Sequence, residues 1–161
     1  ATSLRALKRW GQAAEAYNAV FFMEEDARYA FQEGFCLAKM ERWDDAAAAY
    51  GRALELDPAY DKALYNRGVV LMRAGEHEAA LEMFTALGEI ETDSYRVHFN
   101  SGVCLFNLER YDEALTAYET ALELDETAAV WTNMGHVFDR MGEKTDARAC
   151  FKEAKRLQGE S

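Results

Sequence analysis

The phrase RWDDAAAAYGRALELDPAYDKALYNRG at residues 42–68 returns as RYDEALTAYETALELDETAAVWTNMG at residues 110–135. A chain that restates itself this closely builds one local unit several times over, and each unit leans on its neighbours for a core. The period is 34 residues, with slips to 33 near residues 26 and 127. With residue 27 as position 1, Gly34, Gly68, Gly102 and Gly135 share position 8, and Leu37, Leu71, Leu105 and Phe138 share position 11. Ala13, Ala46, Ala80, Ala114 and Ala147 share position 20, and Tyr17, Tyr50, Phe84, Tyr118 and Phe151 share position 24. Phe and Tyr together make up about one residue in ten, so five aromatics in register is not chance.

The repeat reads as a pair of antiparallel helices. Within 27–60 the apolar residues fall at helical spacing over Ala27–Met40 and Asp45–Leu56, joined by the polar turn Glu41-Arg42. Asp44, Glu78, Asp112 and Thr145 stand where each second helix starts, where an acid or an acceptor suits the unsatisfied N–H groups and the positive dipole end. Gly at position 8 and Ala at position 20 are small because two helices approach closely there, and the position-24 aromatic is expected to fill the groove between neighbouring pairs. Pro58 is the one proline, which also favours helix. The fold class expected is all-α.

These residues resemble the tetratricopeptide repeat family, whose pattern is a large residue at 4, Leu at 7, Gly at 8, Tyr or Leu at 11, Ala at 20, an aromatic at 24, Ala at 27 and Pro at 32. Trp131 matches position 4, Ala53, Ala121 and Ala154 match 27, and Pro58 matches 32. Thr92, Glu126 and Gly159 replace the proline, while Glu33, Arg67 and Ser101 depart from the apolar residue usual at 7. The resemblance covers residues 4–157 and implies a right-handed α-solenoid forming a single domain over 1–161. Its full repeats are 27–60, 61–94, 95–127 and 128–161, after a partial repeat over 1–26 in which Leu4 and Leu7 align with positions 11 and 14. The first helix begins truncated and no further helix follows Leu157, so the chain reads as a fragment of a longer array, or as one whose end a partner or second copy covers.

Composition narrows the partners. The net charge is −11 and half the residues are apolar, which gives a foldable chain of one or two domains that on average repels phosphates, so nucleic acid is not expected. No window nears eighteen consecutive apolar residues, so no membrane insertion is expected. Cys36, Cys104 and Cys150 are an odd number without CxxC spacing, which argues against disulfides or zinc and for a reducing, cytoplasmic setting.

Neither catalysis nor a cofactor or metal is expected. His77, His98 and His136 fall at positions 17, 4 and 9 and do not converge, and no Gly-rich loop, HExxH or GxSxG occurs. His98 reads as a packed ring, and the three cysteines as small core residues. Asp44-Asp45 and Asp112-Glu113 recur at helix starts, where dipole complementarity explains them more simply than acid–base work.

The family resemblance implies a concave face lined by first-helix positions 2, 5, 6, 9, 12 and 13, and hence a protein or peptide partner. Those positions carry Arg28, Lys39, Lys62, Arg73, Arg96 and Arg140 against one acid, Asp139, so a positive inner face is expected on a negative protein. Asn66, Asn100 and Asn133 at position 6 would serve the main chain of an extended ligand, since an amide side chain both donates and accepts. Phe31, Phe35, Tyr65, Phe99 and Phe106 would supply apolar pockets, and the position-2 bases would hold acidic side chains or a terminal carboxylate. The plainer reading is that Asn at 6 and aromatics at 5 are common filler in such repeats. The carboxylate clamp of chaperone-binding family members is matched only by Asn66 and Arg96, because Phe31, Phe35 and Asn100 replace its Lys, Asn and Arg. Two alternatives stand beside an interaction module: a scaffold self-associating through the solenoid ends, and a small chaperone of a secretion system, which the family also contains.

Overall fold

The computed structural model describes residues 4–159, the side chains of Leu4 and Arg5 excepted, so Leu7 is the one leucine of the partial repeat whose side chain is placed. Among the described residues the elements are nine helices and no strand. They run α1 (Leu4–Glu24), α2 (Ala27–Lys39), α3 (Trp43–Leu56), α4 (Asp61–Ala74), α5 (His77–Ile90), α6 (Tyr95–Asn107), α7 (Tyr111–Leu124), α8 (Ala128–Met141) and α9 (Lys144–Gln158). They gather into two compact units, one ending at Ile90 and the other beginning at Glu91. The first holds α1 and the pairs α2/α3 and α4/α5; the second holds α6/α7 and α8/α9.

One turn chemistry closes all four pairs. Position 15 is left-handed each time: Glu41 and Glu109 at φ 59°, Gly75 at φ 88° and Gly142 at φ 86°. That reversal lets the next N–H donate back to the position-11 carbonyl, Arg42 to Leu37 at 3.1 Å, Glu76 to Leu71, Arg110 to Leu105 and Glu143 to Phe138 each at 2.9 Å. Two repeats therefore place glutamate where the backbone favours glycine.

The pairs close on a ring against a glycine. A Cβ on Gly34 would sit 2.8 Å from the Tyr50 ring, on Gly68 2.7 Å from Phe84, and on Gly102 and Gly135 2.6 Å from Tyr118 and Phe151. The position-24 aromatic therefore packs inside its own pair, which corrects the expectation that it fills the groove between neighbours. Tyr50, Phe84 and Tyr118 are at most 1% exposed, and burial of rings of this size contributes roughly 2–3 kcal/mol each. Ala46, Ala80 and Ala114 are fully buried at position 20, as close helix approach requires.

The two charged residues at position 7 are accommodated differently, Glu33 by an opposite charge and Arg67 by space. Glu33 is 8% exposed and accepts from Arg52 of α3, whose guanidinium also lies 5.5 Å from the Phe21 ring of α1. The Arg67 guanidinium lies where a Cβ on Gly51 would meet it at 3.4 Å, so the small residue on α3 makes its room.

The partial repeat departs most. Residues 4–24 form one continuous helix, with no break where the other repeats turn. Lys8 holds position 15 there and is helical, because LRALKRW contains residues that sit well in a helix and no glycine or turn residue. The starts of the second helices also differ in detail. α3 begins at Trp43, two residues before the expected start, and Arg42, Arg110 and Glu143 make no side-chain cap. Asp44, Glu78, Asp112 and Thr145 thus lie inside the first turn, where the acids complement the dipole and do not cap. Side-chain caps occur on first helices instead: Asp26 accepts from the N–H of Arg28, and Thr127 from that of Val130.

Candidate peptide-binding face

Position 2, 6, 9 and 13 side chains of a helix are spaced i, i+4, i+7 and i+11, so they form one stripe. On α2 that stripe is Arg28, Gln32, Phe35 and Lys39, all exposed. On α4 it is Lys62, Asn66, Val69 and Arg73, exposed at its two basic ends and half-buried between them. The second unit repeats it with Arg96, Asn100, Val103 and Asn107 on α6, and with Ala129, Asn133, His136 and Arg140 on α8.

The aromatics divide by position. Phe31 lies 5.5 Å from Tyr50 and 5.1 Å from Tyr60, Tyr65 lies 6.1 Å from Phe84, and Phe99 lies 5.7 Å from Tyr95 and 6.1 Å from Tyr118. These position-5 rings are half-buried and floor the stripe, continuing the stack begun by the position-24 ring. Phe35 is the open one, 36% exposed, edge-on to Trp10 at 6.0 Å with the Lys39 ammonium 5.0 Å from its centroid.

The amides are half committed. Asn66 Nδ2 donates to the Lys62 carbonyl and Asn100 Nδ2 to the Arg96 carbonyl, each at 2.8 Å and each on the same helix. Each keeps a second N–H and its carbonyl oxygen for a ligand. Asn133 differs in its setting: it is half-buried beside the buried Tyr118 hydroxyl, where its amide offsets part of the upward push that burial gives that phenol.

The cations divide as well. Arg28 is clamped to Asp26, with Nε 3.0 Å from both carboxylate oxygens, and that guanidinium holds the Asp26 carboxyl down at about 2. Arg96 Nη2 lies 3.2 Å from Glu91, and Arg140 lies 3.5 Å from Glu109 and over the rings of Phe106 and Tyr111. Lys62 and Arg73, at the two ends of the α4 stripe, make no ion pair among the described residues. Pairing of this kind is set by neighbours in the loops before first helices, Asp26 and Glu91, and in the turn after α6, Glu109, none of which belongs to the stripe positions.

His98 and the three cysteines are packed within the helices. His98 Nε2 lies 3.2 Å from the Thr92 carbonyl, as expected of a packed ring. Cys36, Cys104 and Cys150 are all buried and free, and burial pushes the Cys104 thiol up to about 12, far from the range in which a thiolate forms. Among the described residues no group of three His, Cys, Asp or Glu side chains converges, and no helix is long and apolar enough to cross a membrane.

Comparison with known proteins agrees with this architecture. Small glutamine-rich tetratricopeptide repeat-containing protein 2 of Mycosarcoma maydis is 30% identical over 63% of this chain, and BBSome complex member BBS4 of Bos taurus is 30% identical over 74%. The chain spans only 30% and 23% of the length of those two relatives. Among solved structures, MamA of Desulfovibrio magneticus RS-1 superposes with a TM-score of 0.87 at 22% identity, covering 96% of this chain and 89% of that one. A second MamA crystal structure reaches 0.88 at 18% identity, covering 99% and 96%. Those identities carry the fold alone. Family models described as tetratricopeptide repeat match residues 37–94, 95–127 and 128–160, end to end over most of the sequence and in the register of its own period. The chain belongs to the tetratricopeptide repeat family, with an all-α solenoid architecture.

Proposed function

We propose that this chain is a non-enzymatic protein-interaction module that holds an extended, acidic or aromatic-bearing segment of a partner protein along the exposed stripes of its first helices. The observation that carries the reading is on α4: Lys62 and Arg73 are exposed and without ion pairs among the described residues of a chain of net charge −11, and they flank Asn66. Two cations left unpaired amid an excess of acid, beside an amide with a spare donor and acceptor, suit a ligand that brings carboxylates and an unpaired main chain. Lys39 and Phe35 on α2 add a further cation and an open ring.

A panel of extended fluorescent peptides, acidic, neutral and basic, each with and without Phe, tests this by fluorescence polarisation. Acidic members should bind best. Lys62→Glu with Arg73→Glu should weaken the best binder at least about tenfold, and Asn66→Ala should weaken it about threefold. Arg28→Glu should do little, because Asp26 already holds that guanidinium. Equal binding by basic peptides, or an Arg28 effect as large as the α4 double variant, would overturn the reading.

A further inference from the structure

α1 and α3 stand side by side and enclose a groove floored by α2. The Arg52 guanidinium of α3 lies 5.5 Å from the Phe21 ring of α1, and a cavity of about 340 Å³ opens between the two helices. Its floor carries Leu37 and Met40 of α2 and, beside them, Glu33, the acid that stands where the repeat expects an apolar residue. One stripe of each wall faces the cavity. Gly11, Glu15 and Asn18 line it from α1 at i, i+4 and i+7, and Asp45, Ala48 and Arg52 line it from α3 at i, i+3 and i+7. One turn further along, each stripe reaches an exposed apolar residue near the C-terminal end of its helix: Phe22 on α1, 70% exposed, and Leu56 on α3, 46% exposed.

The charges in this groove do not balance. Glu33 accepts from Arg52 Nη2 through Oε2, and Asp45 pairs with Arg42 through Oδ2. That leaves Glu15 without an ion pair, Asn18 without a side-chain hydrogen bond and Glu33 Oε1 without a partner among the described residues. An excess carboxylate and a spare amide over an apolar floor suit a ligand with an aliphatic stem and a cationic head, and the net charge of −11 draws such a ligand at long range. The polarity is particular to this groove: α8 of the second unit carries Met134 at position 7, 5% exposed, in place of the acid.

We infer that the α1/α3 groove binds an extended segment of a partner protein in which a lysine or arginine and an apolar residue stand three positions apart. The cation enters between Glu15 and Glu33 with its stem on Leu37 and Met40, Asn18 serves the main chain of the segment, and the apolar side chain lies on Phe22 and Leu56. Glu15 and Phe22 are separated by two turns of α1, about 10 Å at 1.5 Å per residue, which three residues of extended chain span at about 3.3 Å each. This site takes the opposite charge to the first-helix stripes and shares no residue with them.

The probes are amidated nonapeptides of glycine and serine that carry one lysine and one phenylalanine, titrated into the full ¹⁵N-labelled chain in 50 mM NaCl. Three positions apart, in one chain order or the other, the pair should give saturable shifts of the Glu15, Asn18, Phe22 and Glu33 amides. Placed side by side it should bind at least about threefold more weakly, and glutamate in place of the lysine should remove the shifts. Glu15→Lys should weaken the best peptide at least about tenfold and Phe22→Ser at least about threefold, both at an unchanged urea midpoint because both side chains are exposed. Lys62→Glu with Arg73→Glu should not weaken it, which separates this groove from the first-helix stripes. Absence of saturable shifts in the groove, equal binding of the glutamate peptide, or a Glu15→Lys chain that binds as well as wild type would overturn the inference. Argininamide binding as tightly as the best peptide would also overturn it, by showing that the groove holds a free cation and not a protein segment.

Discussion

At the scale of the residue, the glycine–aromatic contact is the most constrained feature of each pair. A Cβ on Gly102 would stand 2.6 Å from the Tyr118 ring, and Tyr118 is 1% exposed with no room to retreat. Gly102→Ala should therefore cost about 2–3 kcal/mol by urea denaturation, reversing the gain that alanine normally brings to a helix interior. The Glu33–Arg52 pair sets a different balance. Arg52→Leu strands a carboxylate that is nearly buried and should destabilise by about 2 kcal/mol, while adding Glu33→Leu should recover at least half of that, since position 7 packs an apolar residue well. A double variant no better than the single would show that the carboxylate reaches water by another route. The sequence marked Gly102 correctly by its register, and it marked Glu33 only as a departure. A salt bridge from position 7 to position 26 joins residues 19 apart and is invisible until the helices are placed.

At the scale of the element, turn chemistry decided more than helix propensity. The four first-to-second-helix turns share one left-handed residue, filled twice by glycine and twice by glutamate. Glu41 has φ 59° and no side-chain partner of its own, so Glu41→Gly should raise stability by about 1 kcal/mol, read as a higher urea midpoint with an unchanged slope. Helix existence and pairing were legible because the apolar spacing of 3.6 and the small residues at 8 and 20 are properties of single positions. The continuity of α1 was not, because no single position announces it. Alignment alone puts Leu4 and Leu7 in a first helix and Tyr17 in a second, and a local stretch of good helix formers runs straight across the register that would have divided them. The stripes at positions 2, 6, 9 and 13 were legible as a face, whereas the nearness of Asn133 to the Tyr118 hydroxyl joins two helices and is not.

At the scale of the whole molecule, the relevant quantity is how charge is divided. The chain carries −11, yet the α2 and α4 stripes offer Lys39, Lys62 and Arg73 with no ion pair among the described residues, while Arg28 and Arg96, equivalent by register, are neutralised by Asp26 and Glu91. Long-range attraction to an acidic segment is therefore opposed by the molecule's overall field, and binding has to come from short-range contact at those few cations. Two competing effects of salt follow. Screening weakens each local ion pair, which at an exposed site is worth about 0.5–1 kcal/mol, and it also relieves the repulsion between an acidic ligand and the remaining acids. For the wild-type chain the two should partly cancel, giving a shallow loss of acidic-peptide affinity of about two- to threefold between 50 and 500 mM NaCl. In the Lys62→Glu, Arg73→Glu chain Lys39 is the one cation of the three left and repulsion outweighs it, so residual binding should strengthen with salt. The sign of the salt dependence, measured on the two chains with one peptide, thus separates contact at α4 from attraction to the protein at large; a steep loss with salt that is the same in both would place the electrostatic contact elsewhere.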